Sequence, residues 1–127
     1  MNDEQYLALC REQLANFARD LELRTQRLPE NDALRQLAAG FSSLASGDLD
    51  LYGEGPTLVS RLFTTYPDFA PSFPRDLLWF FGGDCLHFMP DSEIEIYQQL
   101  DELRGDAAAL GETLDLRAAR ASLKNLQ

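Results

Sequence analysis

Residues 74–90 read PRDLLWFFGGDCLHFMP, and how this stretch is read decides the fold. Leu77, Phe81, Cys85 and Phe88 recur at steps of 4, 4 and 3, straight through the Gly82–Gly83 pair. Leu78, Trp79, Phe80, Leu86 and Met89 fill most of the remaining circumference. A helix apolar nearly all round is buried by neighbours on several sides, so the spacing predicts a central apolar helix at about 74–89. Pro74 and Pro90 bracket it, and Asp76 complements the positive end of its dipole. Two glycines inside a helix cost about 1 kcal/mol each relative to alanine. They suggest a notch where a neighbour packs close, or a space opened beside Asp84, Cys85 and His87. A break at the glycines, with a short turn at 84–89, is the alternative.

Outward from this segment the periodicity stays helical. Tyr6, Cys10, Leu14, Phe17 and Leu21 form one stripe and predict a helix from about 3 to 27, capped by Asn2 or Asp3 and stopped by Pro29. A second helix starts at Asn31 or Asp32, carries Leu34, Leu37, Phe41 and Leu44, and closes on Gly47. Gly40 within it marks a candidate close approach. The stretch SGDLDLYGEGP, 46–56, reads as a connection tacked down by Leu49, Leu51 and Tyr52. Pro56 then suits the first position of a third helix with Leu58, Leu62 and Tyr66 on its stripe. YPDFAPSFP, 66–74, reads as an extended connection stiffened by prolines, with Phe69 and Phe73 as buried plugs.

Beyond residue 90, SEIE at 92–95 has the pattern of a capping box, and Ile96, Leu100, Leu103, Ala107 and Leu110 form the next stripe. Gly105 is a candidate early break. A last helix is expected from Asp115, with Leu116, Ala119, Leu123 and Leu126. The expected fold is an all-α, single-domain bundle over 1–127, of five or six helices.

The 127 residues carry 21 acids against 11 bases, a formal net charge of −10. Every section is acidic, so the clustered cations that phosphate binding needs are missing, and an anionic membrane surface would repel the chain. No run of about 18 apolar residues occurs to span a membrane. MNDEQYLALCREQ at the N-terminus has acids where a secretory signal has bases. Cys10 and Cys85, without CxxC spacing, fit reduced thiols in a cytoplasm. The basic residues are arginine apart from Lys124, a usage associated with GC-rich bacterial genomes.

The candidate catalytic residues are Asp84, Cys85 and His87. On a continuous helix Asp84 and His87 share a face and could orient an imidazole as a base. Cys85 and His87 diverge by about 200°, which makes a Cys–His dyad poor. Asp84 and His87, with Asp91, Glu93 or Glu95, would be a weak cation site, and a single histidine without a cysteine pair argues against zinc. No metal and no cofactor are therefore expected. A lone histidine among aromatics is usually a packed or rim residue.

The candidate binding residues are Tyr66, Phe69, Phe73, Trp79 and Phe80, with Gly82 and Gly83 beside them. A bundle this small buries only so many large side chains, and a homodimer is the commonest cover for surplus apolar surface. The favoured expectation is a non-enzymatic cytoplasmic protein that binds a protein partner or a small apolar ligand as a homodimer. The alternatives are a small enzyme or pocket built on Asp84 and His87, and an acidic mimic that binds a basic protein.

The stretch SFPRDLLWFFGGDCLHFMPDSEIEIYQQLDEL, 72–103, resembles a family of small uncharacterised proteobacterial helical proteins. The resemblance implies a bacterial setting and brings no assigned activity.

Overall fold

The computed structural model describes residues 3–111 and 116–125, and these are all-α. Six α-helices and two short 3-10 helices occur among them. The α-helices are α1 (Asp3–Thr25), α2 (Ala33–Ser46), α3 (Leu51–Thr65), α4 (Arg75–Phe81), α5 (Asp91–Ala109) and α6 (Leu116–Asn125). The 3-10 helices span Pro67–Ser72, which corrects the extended connection expected there, and Gly83–Phe88. The contacts gather into two compact units, one of Cys10–Phe88 and one of Met1–Leu9 with Met89–Gln127.

In the Cys10–Phe88 unit the core follows the stripes. Cys10, Leu14, Phe17 and Leu21 are buried on α1, and Leu37, Phe41 and Leu44 on α2. Asp32 caps α2 by accepting from the Leu34 amide at 2.9 Å, and Gly47 ends it at φ +89°. At Gly40 an added Cβ would stand 3.3 Å from the Leu58 side chain, so the expected close approach to α3 is present. Phe73 lies at the centre, 1% exposed. Its ring meets Phe17 edge-on at 4.9 Å, Phe63 edge-on at 5.8 Å and Phe41 at 6.1 Å. Edge-to-face pairs add about 0.5–1.5 kcal/mol each beyond the area they bury. The proline-rich connection thus delivers one of the main core side chains.

Two boundaries differ from those expected. The helix placed at Pro56 begins instead at Leu51, where Asp50 caps it by accepting from the Gly53 amide at 3.0 Å. Leu51 and Gly55, one turn apart, are both buried, and seating that turn outweighs the donor lost at Pro56. The continuous helix expected at 74–89 is corrected to two pieces, α4 and the Gly83–Phe88 3-10 helix. Gly82 lies at φ +64°, ψ −153°, and Gly83 at φ +52°. Neither conformation belongs to a right-handed helix, and the first is open essentially to glycine alone. The break is held by Gly82 N–H donating to Leu78 O (3.0 Å) and Cys85 N–H donating to Gly82 O (3.0 Å). Arg75 at the start of α4 donates from Nη2 to Phe88 O at 3.0 Å and ties the far end of the second piece back.

In the other unit, α5 begins at Asp91 with Pro90 as its cap, and no side-chain hydrogen bond caps it. The capping box expected at Ser92 is not formed, because the N-cap is Pro90, two residues earlier, and Ser92 already lies within the helix. Gly105 does not interrupt α5, which continues to Ala109. Ile96, Tyr97 and Leu100 are buried, whereas Leu103 and Leu110 of the same stripe are exposed. Arg104 spans α5 and the first turns of α1. Its Nη1 pairs with Asp3 Oδ1 at 2.8 Å, and its guanidinium lies 4.6 Å over the Tyr6 ring. The Tyr97 hydroxyl accepts from Arg120 of α6 at 3.4 Å. Asn2, Asp115 and Leu126 lie outside the described residues.

Candidate functional site

The glycine break decides what each residue of 84–88 can do. In a 3-10 helix, residues three apart eclipse one another. Cys85 and Phe88 therefore share the inner side and Asp84 and His87 the outer. Cys85 is 1% exposed, and Phe88 stacks on Phe63 with centroids 4.6 Å apart. Asp84 and His87 are both exposed. No hydrogen bond or ion pair joins them among the described residues.

The three candidate catalytic residues are thus not brought to one point. Burial pushes the Cys85 thiol up to about 11 from its ordinary 9.0, and the charge of Asp84 adds to the shift. At neutral pH the sulfur stays protonated, the opposite of what a nucleophilic cysteine needs. Among the described residues no group of three His, Cys, Asp or Glu side chains is placed to hold a metal ion.

The candidate binding residues separate as well. Phe73 is core. Phe69 is half-buried beneath the Arg24 guanidinium, which sits 4.4 Å over its ring and donates to Ser72 Oγ at 3.2 Å. Tyr66 is half-buried and caps the end of α3 through its amide, which donates to Leu62 O. Trp79 and Phe80 are half-buried on α4. Tyr52, expected to tack a loop onto the core, is 62% exposed, with its ring 5.6 Å from that of Phe80. Phe80 in turn meets Phe81 edge-on at 5.3 Å. Of these aromatic side chains Tyr52 is the exposed one, and it rests against half-buried Phe80, next in the chain to half-buried Trp79.

Gly82 and Gly83 do not form the packing notch. A Cβ at Gly82 would meet only Trp79 O, at 3.8 Å, and one at Gly83 nothing within 4 Å. The notch is Gly55 of α3, against which the Phe81 ring is pressed, with Cζ 2.8 Å from where a Cβ would stand. The GEG of 53–55 was legible only as turn chemistry. A buried acid also went unmarked as such: Asp76, 7% exposed, accepts from Gln13 Nε2 of α1 at 2.7 Å.

Asp84 has a further neighbourhood. With α3 residues Thr57, Ser60, Arg61, Thr64 and Thr65 it lines an open cleft of about 460 Å³.

The class so defined is an all-α protein whose Cys10–Phe88 unit carries, among the described residues, an exposed aromatic side chain at Tyr52 and a polar cleft beside α3. The family model described as PA2817-like matches residues 3–127, and the chain belongs to that family, one of uncharacterised proteins. The match agrees with the resemblance read at 72–103 and extends it along nearly the whole chain. No curated protein and no solved structure matches the chain. Among the described residues no helix is long and apolar enough to cross a membrane.

Proposed function

We propose that the protein acts by binding rather than by catalysis, and that Tyr52, Trp79 and Phe80 form the face through which it pairs with a second copy of itself. The observation that carries this reading is the Tyr52 ring, 62% exposed yet laid against Phe80. Holding a large aromatic side chain in water costs the burial free energy it would gain under a partner, of order 1.5–3 kcal/mol for a Phe-sized group. A two-fold pairing sets the same patch against itself, and aromatic rings suit that because each offers both an edge and a face. Asp84 and His87 stand exposed and unjoined while Cys85 is buried with its thiol held protonated, which favours binding over acid–base or thiol chemistry. The absence of a disulfide at Cys10 and Cys85, together with the resemblance, supports a bacterial cytoplasm as the setting.

Asp48, Asp50 and Glu54 stand close to Tyr52 in sequence and are all exposed, so two copies bring like charges together. The dimer should accordingly tighten as salt screens them. Light scattering and sedimentation over a concentration series test this. A dimer at micromolar protein that Tyr52→Asp converts to monomer is expected. A chain that stays monomeric at all concentrations and salts, or a dimer indifferent to Tyr52→Asp, overturns the reading.

A further inference from the structure

The cleft between α3 and the glycine break holds a feature that self-association does not use. Thr57, Ser60, Arg61 and Thr64 recur at helical spacing along one side of α3, and Asp84 faces the same cleft from the 3-10 helix. Arg61 and Asp84 are both exposed, and neither has a hydrogen-bond or ion-pair partner among the described residues. Two opposite charges on packed elements therefore line one cleft without closing on each other. Around them the lining is mostly hydroxyl. The Thr64 hydroxyl donates to Ser60 O at 2.8 Å and leaves its oxygen able to accept. The cleft between α1 and α2 also carries opposite charges, Arg19 and Glu22, but both stand on α1 about one turn apart rather than on two packed elements, and its other cation, Arg35, already donates to Leu28 O at 2.6 Å.

We infer that the cleft lined by Arg61 and Asp84 is a binding site for a small zwitterion, a free polar α-amino acid. Arg61 takes the carboxylate, for which its planar fork is suited. Asp84 accepts from the ammonium, and the threonine and serine hydroxyls serve the side chain. A volume of about 460 Å³ lies within the range of small-molecule sites. A lone anion would leave Asp84 unanswered and repelled, and a lone cation would do the same to Arg61. The site thus selects for both charges on one molecule.

Amide chemical shifts of Thr57, Ser60, Arg61, Thr64 and Asp84 in the full-length chain, titrated with L-serine, L-glutamine, N-acetyl-L-serine, L-serine amide and inorganic phosphate, test this. Saturable shifts with the free amino acids are expected, with each singly charged analogue at least about tenfold weaker, since one charge-assisted hydrogen bond is lost. Arg61→Gln should abolish the preference for serine over its amide, and Asp84→Asn the preference for serine over N-acetyl-serine. Both side chains are exposed, and circular dichroism checks that the variants fold. No saturable shift up to millimolar amino acid, equal binding of phosphate or N-acetyl-serine to the unaltered chain, or a folded Asp84→Asn that keeps full selectivity overturns the proposal.

Discussion

Gly55 of α3 and Phe81 of α4 share a single space: Phe81 Cζ lies 2.8 Å from where a Cβ on residue 55 would stand. Phe81 in turn rests edge-on against Phe80, so the ring is held from two sides. Gly55→Ala should destabilise the chain by about 1–2 kcal/mol, the strain of overpacking less the gain in helix propensity. Combining it with Phe81→Leu should cost less than the sum of the two single changes. Urea denaturation of all three variants measures the coupling, and strict additivity would sink the contact as described.

The same glycine-to-alanine change should have opposite signs at two other positions. At Gly82 there is room for a methyl group, but φ +64° with ψ −153° is nearly closed to alanine, so Gly82→Ala should destabilise by about 1–3 kcal/mol. Gly105 sits within α5 at negative φ, with nothing within 4 Å of an added Cβ. Gly105→Ala should stabilise by up to about 1 kcal/mol. Thermal melts of the two variants beside the unaltered chain check both signs.

Cys85 makes a prediction about alkaline stability. Its thiol is raised to about 11 from 9.0, so the folded chain holds that proton more tightly than the unfolded chain does. The contribution is complete below about pH 9 and is lost as pH rises through about 11. Cys85→Ala should therefore show a flatter decline in stability between these values. At pH 8 the native thiol should resist a disulfide reagent and react once the chain is unfolded in denaturant. Rapid labelling of Cys85 in the native state, tested with Cys10→Ala in place, would contradict the burial.

Gln13 and Asp76 bind α1 to the start of α4 through a 2.7 Å hydrogen bond to a carboxylate that is 7% exposed. Removing either partner leaves the other in a poorly hydrated position. Asp76→Ala should cost about 1.5–3 kcal/mol and Gln13→Ala less, because the carboxylate then keeps its other contacts. A double-mutant cycle by chemical denaturation should return a favourable coupling, and a coupling near zero would mean the bond adds nothing.

Much of the architecture was legible because it is local. The stripes of α1 and α2, the Asp32 cap and the Gly47 end follow from residues three or four apart, and those spacings are the same in the chain as in the helix. The plug at Phe73 could be read from prolines that forbid a regular helix around an aromatic residue. The boundaries failed where two local rules competed. Pro56 suits a helix start, but Asp50 caps a start one turn and a half earlier. SEIE suits a cap, but Pro90 had already begun α5. At the site, the Asp84–His87 spacing was legible, and so was the pairing of Cys85 with the apolar stripe. That Asp84 shares a cleft with Arg61 was not, since 23 positions of chain separate them.

By itself the sequence determined that this protein is helical, which faces of its helices turn inward, and that it carries no clustered cations. Periodicity and composition are properties of the chain, and they survive whatever the chain packs against. Only the tertiary structure decided what the glycines do. Gly55, which read as turn chemistry, yields its space to Phe81, while Gly82 and Gly83, which read as a packing notch, are there for their backbone angles. A missing side chain can serve either purpose, and only the neighbour across the gap or the sign of φ tells which.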